Sequence, residues 1–299
     1  DVLIVGCGNI AGGFDMGKHS SKLPCTHAGA YNRNKKFKII ACIDADEIVL
    51  KKFMKYWGVD NGFLSFNDYI ASGLQASVVS ICSPTPLHND HVLMAIDLKP
   101  RLIFCEKPIT SRSDQTLSII TACANENILL AVNYTRRWDP KIIELKESLE
   151  NNKYGTLYSI IGFYNKGILN NGSHMVDLLF YFFGDLIPIA TAKAIFDVED
   201  SDPTIPALLS TANGSTVHLV ASNTNDYALF EIQFITSSGI LYMNEGGLSW
   251  SERSLVKSQR FTGYVTLDKG SHYPGRYDEA MSNALENLYQ ALENNETLL

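Results

Sequence analysis

Lys107 stands in the tripeptide Glu106-Lys107-Pro108, directly after the apolar run Leu102 to Cys105 (LIFC). Pro108 fixes the backbone just beyond the charged pair. A lysine at the carboxyl edge of a buried strand can hydrogen-bond a hydroxyl and, when partly desolvated, help take its proton. Taken alone, the two residues also fit a surface ion pair, but their place after a buried strand argues against it. A second constellation opens the chain, where Val2 to Asp15 reads VLIVGCGNIAGGFD. An apolar strand runs into a turn made of Gly6, Cys7, Gly8, Asn9, Ile10 and Ala11. Gly6 permits the tight strand-to-turn conversion, and a side chain at Gly8 would hold the backbone away from a phosphate. Ala11 needs only to be small, so that a following helix can pack on the strand. The free N–H groups and positive dipole end of that helix then suit the pyrophosphate of a dinucleotide.

Two further segments fit the same ligand. Asp44 closes the second strand, where a carboxylate can accept both adenosine ribose hydroxyls and repel a 2′-phosphate, which favours NAD over NADP. An N-cap role for this aspartate can coexist with that one. Its distance from the glycine turn exceeds the usual ~20 residues. The surplus is assigned to the polar stretch Asp15 to Thr26, read as a loop that overhangs the cofactor, leaving a short first helix that resumes over His27 to Arg33. Ser83-Pro84-Thr85-Pro86 follows another strand and forms a rigid loop at the carboxyl edge, where ligands bind in doubly wound folds.

These residues need a frame, and the hydrophobic pattern supplies it. Up to about residue 130, short β-branched runs alternate with amphipathic stretches, as in a parallel sheet covered by helices on both faces. The strands are read at Val2 to Val5, Phe37 to Ile43, Phe63 to Phe66 (the weakest), Val78 to Cys82, Leu102 to Cys105 and Ile128 to Val132. Helical spacing appears over Ala45 to Trp57 and Leu87 to Leu98. A linking helix carries Ile142, Ile143, Leu145 and Leu149. Beyond Gly155 strands dominate: Tyr158 to Tyr164, Ile187 to Phe196, Ala207 to Thr211, Thr216 to Ser222, Leu229 to Thr236 and Ile240 to Asn244. Short turns such as Asn213-Gly214 favour antiparallel hairpins. One helix, Ser173 to Phe183, interrupts them before Gly184. The predicted architecture is an α/β Rossmann domain with a doubly wound parallel sheet over residues 1–133. An α+β domain with an open, mostly antiparallel sheet follows over 134–299, and the last helix is expected to pack back on the first domain.

Composition narrows the function classes. The 299 residues carry 25 Lys plus Arg against 32 Asp plus Glu, a net charge of −7. With no long basic run, this argues against a nucleic-acid partner. No apolar stretch reaches the ~20 residues of a membrane helix, and the first strand is not preceded by a charged n-region or a cleavage site, so secretion is not expected. The expected location is the cytoplasm. All six cysteines fall before residue 125 without CxxC spacing, so free thiols are expected rather than disulfides or zinc. His88 and His91 lie three apart on a helix but lack further ligands nearby, and no metal is expected. The chain does not begin with Met and stops at Leu299 straight after a helical run, so a further C-terminal segment is expected.

The ordered set GCGNIA, CSPTPLH (Cys82 to His88), CEKP (Cys105 to Pro108), VNYTRRWDP (Val132 to Pro140) and GSHMVDLL (Gly172 to Leu179) resembles the glucose-fructose oxidoreductase, inositol dehydrogenase and rhizopine-catabolism family, Gfo/Idh/MocA. The resemblance covers nearly the whole chain. It implies a nicotinamide cofactor held by Gly6, Gly8, Asn9, Ile10, Ala11, Asp44, Ser83, Pro84, Thr85, His88, Glu106 and Lys107. It also implies a substrate floor on the C-terminal sheet, through which the protein would form a homodimer or homotetramer. Lys107 matches the family's active-site lysine and His174 its acid/base histidine. Asp177, three residues on, shares the helix face of His174. Tyr164, Lys166, Arg136 and Arg137 fall in segments that line the family's pocket, where an arginine could clamp a carboxylate or diphosphate. One position departs from the family: Asn170 stands where Asp is common. Asparagine cannot take a proton but can position a hydroxyl, so proton transfer would fall to His174 and Lys107, or turnover would be weak or absent.

The function this implies is NAD-dependent hydride transfer at a secondary alcohol or ketone of a sugar, sugar acid, cyclitol or nucleotide sugar. Two alternatives share the fold. One is a regulatory protein that binds dinucleotide or sugar without turnover. The other is a glycosidase that uses tightly held NAD for transient oxidation.

Overall fold

The structure, a computed structural model, describes residues 1–17 and 23–299. The chain divides into one unit of Asp1–Trp138 with Asp278–Leu299, and a second of Asp139–Tyr277.

In the first unit the elements follow in order: β1 (Val2–Val5), α1 (His27–Arg33), β2 (Ile39–Ile43), α2 (Glu47–Trp57), β3 (Asn61–Phe63), α3 (Phe66–Ala71), β4 (Val78–Ile81), α4 (His88–Asp97), β5 (Leu102–Cys105), α5 (Ser113–Asn125) and β6 (Leu129–Val132). The strands form one parallel sheet in the order β3-β2-β1-β4-β5-β6, the doubly wound order with its switch point between β1 and β4. β1, β4 and β5 are buried at every position. Two apolar layers cover the sheet, one around Ile4, Phe53 and Phe104 and the other around Leu3, Ile81 and Ile103.

The helix expected over His27 to Arg33 is present, but the short helical piece expected at the glycine turn is not an α-helix. Gly12 and Gly13 N–H both donate to the Gly8 carbonyl, and a 3-10 turn follows at Gly13–Asp15. The helix takes shape only at His27. Even so, His27 N–H donates to the Ile10 carbonyl at 3.2 Å and Ala28 N–H to the Ala11 carbonyl at 2.7 Å. Both bonds bridge 17 positions, where an uninterrupted helix bridges four. The chain between is therefore an excursion of thirteen extra residues inserted into one helical stack. With those set aside, the interval from Gly8 to Asp44 returns to roughly the 20 residues usual for dinucleotide folds. Thr26 caps α1 by accepting from Gly29 N–H, and the buried Asp15 carboxylate accepts from Cys25 N–H, Thr26 N–H and Thr26 Oγ1. The part of the loop expected to overhang the cofactor at residues 18–22 lies outside the described residues.

The second unit contains α6 (Pro140–Glu150), β7 (Leu157–Tyr164), α7 (Ser173–Phe183), β8 (Leu186–Thr191), β9 (Ile195–Glu199), β10 (Asp202–Thr204), β11 (Ala207–Thr211), β12 (Thr216–Ala221), β13 (Phe230–Thr236), β14 (Gly239–Asn244), β15 (Ser249–Lys257), β16 (Val265–Leu267) and β17 (Ser271–Pro274). Its large sheet runs β16-β15-β14-β13-β7-β12-β11-β8, with β17 against β15. The pairings are antiparallel apart from β7 with β12, which is parallel. The run read as one strand from Ile187 to Phe196 is two. β8 joins the large sheet, while β9 forms a separate hairpin with β10. Ile160, Met175, Leu179, Val217, Ile232 and Trp250 fill the core on one face of the sheet.

The last helix, α8 (Ala280–Asn294), belongs to the first unit, where Met281, Ala284, Leu285 and Leu288 join the core. Asn287 and Asn283 hold it to Trp138 through the indole N–H at 3.0 Å and the backbone carbonyl at 3.2 Å. No helix among the described residues is long and apolar enough to cross a membrane.

Candidate active site

The carboxyl ends of β1, β2 and β4 gather one group of the expected residues. Gly6, Asp44, Ser83 and Pro84 line a single cavity of about 330 Å³, with Phe66, Leu87, His91 and Met94 forming much of its wall. Gly6 has φ +85°, and a Cβ there would lie 2.6 Å from Ser83 N, so β4 approaches too closely for any side chain. Gly8 differs: its backbone stays outside the left-handed region, it is exposed, and a Cβ would meet nothing within 4 Å. Nothing among the described residues requires glycine there, whereas a phosphate approaching the backbone would.

Asp44 is held ready. Its Oδ2 accepts from Cys7 N–H at 2.7 Å and its Oδ1 from Asp46 N–H at 2.9 Å, which fixes the carboxylate over the glycine turn. Asp46, not Asp44, caps α2, by accepting from Ile48 and Val49 N–H. Asn9 is exposed, Ile10 half-buried and Ala11 fully buried against the core. Thr85 begins a 3-10 turn that leads into α4. Such a cradle, with an unobstructed glycine, an anchored carboxylate and an apolar cavity beside them, fits a dinucleotide.

His88 is buried, with both ring nitrogens held by carbonyl oxygens, Nδ1 to Pro108 at 2.8 Å and Nε2 to Ser83 at 2.7 Å. It ties the Ser83 loop to the Lys107-Pro108 segment, which contains a cis peptide bond, instead of facing the cavity. His91 faces the cavity in its place, with Nδ1 on Ser83 Oγ at 2.9 Å and its ring tilted on Phe66. Burial pushes its imidazole down, and the neighbouring His88 adds to this. The helical pair 88 and 91 drew attention in the sequence, but only the register of α4 could say which of them faces the cavity.

Glu106 also turns inward. Its Oε1 accepts from His27 Nε2 at 2.9 Å and from Asn133 Nδ2 at 2.6 Å, and its Oε2 from Lys107 N–H at 3.3 Å. Burial alone would push this carboxyl up; the His27 and Asn133 bonds and the Lys107 charge outweigh it and hold the carboxyl below the usual range. Lys107 is half-buried at the end of β5. Arg136 and Arg137 lie half-buried in a 3-10 turn after β6.

In the second unit, β7 ends in a π-type turn, Gly167–Gly172, that runs straight into α7. It carries Asn170 and delivers His174 in the first turn of α7, with Asp177 one turn on, all three half-buried. The turn is clamped by residues that sequence reasoning passed over. Asp202 accepts from Leu169 N–H at 2.7 Å and Asn170 N–H at 3.0 Å. Thr204 Oγ1 accepts from Gly167 N–H at 2.8 Å and donates to Asp197. Asp197 also accepts from Lys166 N–H at 2.7 Å and Thr224 N–H at 3.1 Å. Lys166 itself is exposed and adopts a left-handed φ of +68°, uncommon for a lysine. Tyr164, expected in the pocket, is instead a core residue with no exposure, and its hydroxyl donates to the Ile205 carbonyl and accepts from Ile205 N–H. Among the described residues no cluster of His, Cys, Asp or Glu is arranged to hold a metal ion.

Comparison with known proteins agrees with this frame. Residues 1–134 match the GFO_IDH_MocA family, an oxidoreductase family with an NAD-binding Rossmann fold. The chain is 23% identical over 290 residues to inositol 2-dehydrogenase of Rhizobium meliloti, covering 89% of this chain and 84% of the relative. Among solved structures, the WlbA dehydrogenase of Bordetella pertussis in complex with NADH and UDP-GlcNAcA is similar with TM-score 0.75 and 17% identity, over 99% of this chain and 89% of that one. A 3-ketoreductase from Actinomadura kijaniata in complex with NADP gives TM-score 0.76 and 16% identity, over 99% and 90%.

Proposed function

We propose that the chain, whose residues 1–134 match the Gfo/Idh/MocA oxidoreductase family, is an NAD-dependent enzyme that interconverts a secondary alcohol and a ketone on a sugar, sugar acid, cyclitol or nucleotide sugar. The observation that carries this reading is the cavity at the sheet's switch point, where Gly6, Asp44 and Ser83 meet beside the bare Gly8. The anchored Asp44 carboxylate supports NAD over NADP, because a 2′-phosphate would meet its charge. The substrate class is supported by the inositol dehydrogenase and the UDP-GlcNAcA complex among the similar proteins.

The nicotinamide, when bound, supplies the hydride chemistry. Lys107 holds the reacting hydroxyl and, with His174, handles its proton. Asn170, kept in place by Asp202, donates or accepts a hydrogen bond to a neighbouring hydroxyl without exchanging a proton. The half-buried arginines after β6 serve a phosphate or carboxylate on the substrate.

The sheet face opposite the core carries Ile161, Phe163, Val220, Ile235, Ile240 and Tyr242, by strand alternation. That band supports a homodimer or homotetramer, which light scattering in solution tests. Six cysteines without a disulfide favour a reducing, cytoplasmic setting. Calorimetric titration with NAD and NADP, followed by turnover on a panel of cyclitols and nucleotide sugars, tests the function. Absence of binding by either nucleotide overturns it.

A further inference from the structure

The sheet of the first unit buries a polar group that does not line the cavity at its switch point. His27 begins α1, has no exposure, and packs its ring on Phe104 at 4.6 Å. A carboxylate only accepts, so the 2.9 Å contact to Glu106 Oε1 places a proton on His27 Nε2. Asn133, at the end of β6, donates to the same oxygen, and its own Oδ1 accepts from Thr135 Oγ1 at 3.1 Å. Three elements distant in sequence thus converge on one carboxylate, and the other oxygen of that carboxylate meets the Lys107 backbone N–H. Among the described residues His27 Nδ1 is buried without a partner, so the ring is oriented through Nε2, which meets Glu106 Oε1 and, at 3.4 Å, Asn133 Nδ2. Apolar side chains of the same size would fill this space without the cost of burying an ion. Packing therefore does not explain the group.

We propose that His27 is a positioning residue for Lys107, acting through Glu106. Imidazole and carboxamide pin the carboxylate, and the pinned carboxylate fixes the lysine backbone and sets a negative charge beside its ammonium. This rests on the reading of Lys107 as the residue that meets the reacting hydroxyl. The attraction is mutual: the lysine charge helps keep Glu106 ionised, and the carboxylate favours the ammonium form in return. The other titratable groups against Glu106 are the thiols of Cys82 and Cys105, which burial pushes far up and leaves uncharged. Without His27, less opposes the burial that pushes the Glu106 carboxyl up, and the negative charge beside Lys107 weakens.

The test measures Lys107 directly, in the full chain without ligands. Acetylation of its amine by acetic anhydride, followed across pH by peptide mass spectrometry, gives the midpoint at which it loses its proton. His27→Leu and Glu106→Gln are each expected to lower that midpoint by about one pH unit, the lower end of a close ion pair's effect. His27→Gln can still donate to Oε1 and is expected to stay near wild type. If His27→Leu does not fold, the contrast between His27→Gln and Glu106→Gln carries the test. Equal midpoints in wild type and Glu106→Gln would overturn the proposal, as would a His27→Leu protein that loses thermal stability with its midpoint unmoved. Full turnover by Lys107→Met would instead refute the catalytic reading, and the labelling result would still stand.

Discussion

Two glycines of one turn can be separated by experiment, because the fold needs only the first of them. Alanine at position 6 must take φ +85°, which costs a residue with a Cβ about 1–2 kcal/mol. It would also sit 2.6 Å from Ser83 N, 2.7 Å from Ser83 Cα and 2.8 Å from the Cys82 carbonyl carbon. All three are backbone atoms next to a fully buried strand, so relief requires moving β4 away from β1, and overpacking of that kind adds about 1–3 kcal/mol. Gly6→Ala should therefore lose on the order of 2–5 kcal/mol. At position 8 the same change meets no atom within 4 Å and needs no left-handed backbone. Stiffening the unfolded chain should leave Gly8→Ala unchanged or up to about 1 kcal/mol more stable. Its added methyl nonetheless occupies the space a diphosphate needs, and NAD should bind at least about tenfold more weakly, 1.4 kcal/mol. Urea unfolding and calorimetric titration of both variants read the two quantities independently. A Gly8→Ala protein that binds NAD like wild type would refute the cradle, and one that loses stability in step with Gly6→Ala would refute the division between the two positions.

Asp44→Ser should weaken NAD about tenfold, the value of one hydrogen bond to a charged group, and improve NADP, as paired titrations would show. Asp197→Ala removes the acceptor of three bonds behind the Asn170 turn and should cost on the order of 2–4 kcal/mol in chemical denaturation. Burial opposes ionisation of Asp197, but the bonds from Lys166, Thr204 and Thr224 outweigh it and hold the carboxyl below its usual range. The stability it contributes is then complete above about pH 3.9 and fades as pH falls through its lower folded value. Below that pH, wild type should lose stability more steeply than Asp197→Ala. Tyr164→Phe should lower the thermal midpoint by the equivalent of about 1–3 kcal/mol, since it strips Ile205 N–H and C=O of their partner, while the KM of any substrate stays constant.

Much of the first unit is legible in the sequence because its strands are buried on both faces. Val2 to Val5 and Leu102 to Cys105 leave no polar position to mislead the eye. α5 escapes notice because only Ile119 and Cys123 are buried along it, while Leu117 and Ile120 face outward and no side chain caps its start. The run near Phe63 contains a strand that stops at Phe63, since Ser65 caps α3 by accepting from Asp68 N–H. In the second unit, alternation finds β7, β11, β12, β13 and β14 but not their partners. Nothing local announces that β7 and β12 run parallel, or that the chain leaves one sheet for another between Thr191 and Ile195. The polar strands β15 to β17 lack a legible face altogether. At the site, glycine spacing and strand ends point to Gly6, Gly8, Asp44 and Lys107. His27 stays silent because Glu106 lies 79 positions away, and Asp202 because its acceptor role exists only once the π-type turn has formed.

The paired bonds from His27 and Ala28 back to Ile10 and Ala11 have an evolutionary and an engineering corollary. Where one helical stack is resumed in phase after a detour, the detour can lengthen, shorten or be exchanged without any change in how the sheet is wound. A shortened protein that drops thirteen residues, keeping two between Ala11 and the run beginning at His27, would preserve the hand of the crossover, and grafting a foreign ribbon at the same seam would alter the rim alone. The seam lies beside the glycine turn, so variation between members of such a lineage could accumulate there and retune what the rim admits while the scaffold stays fixed.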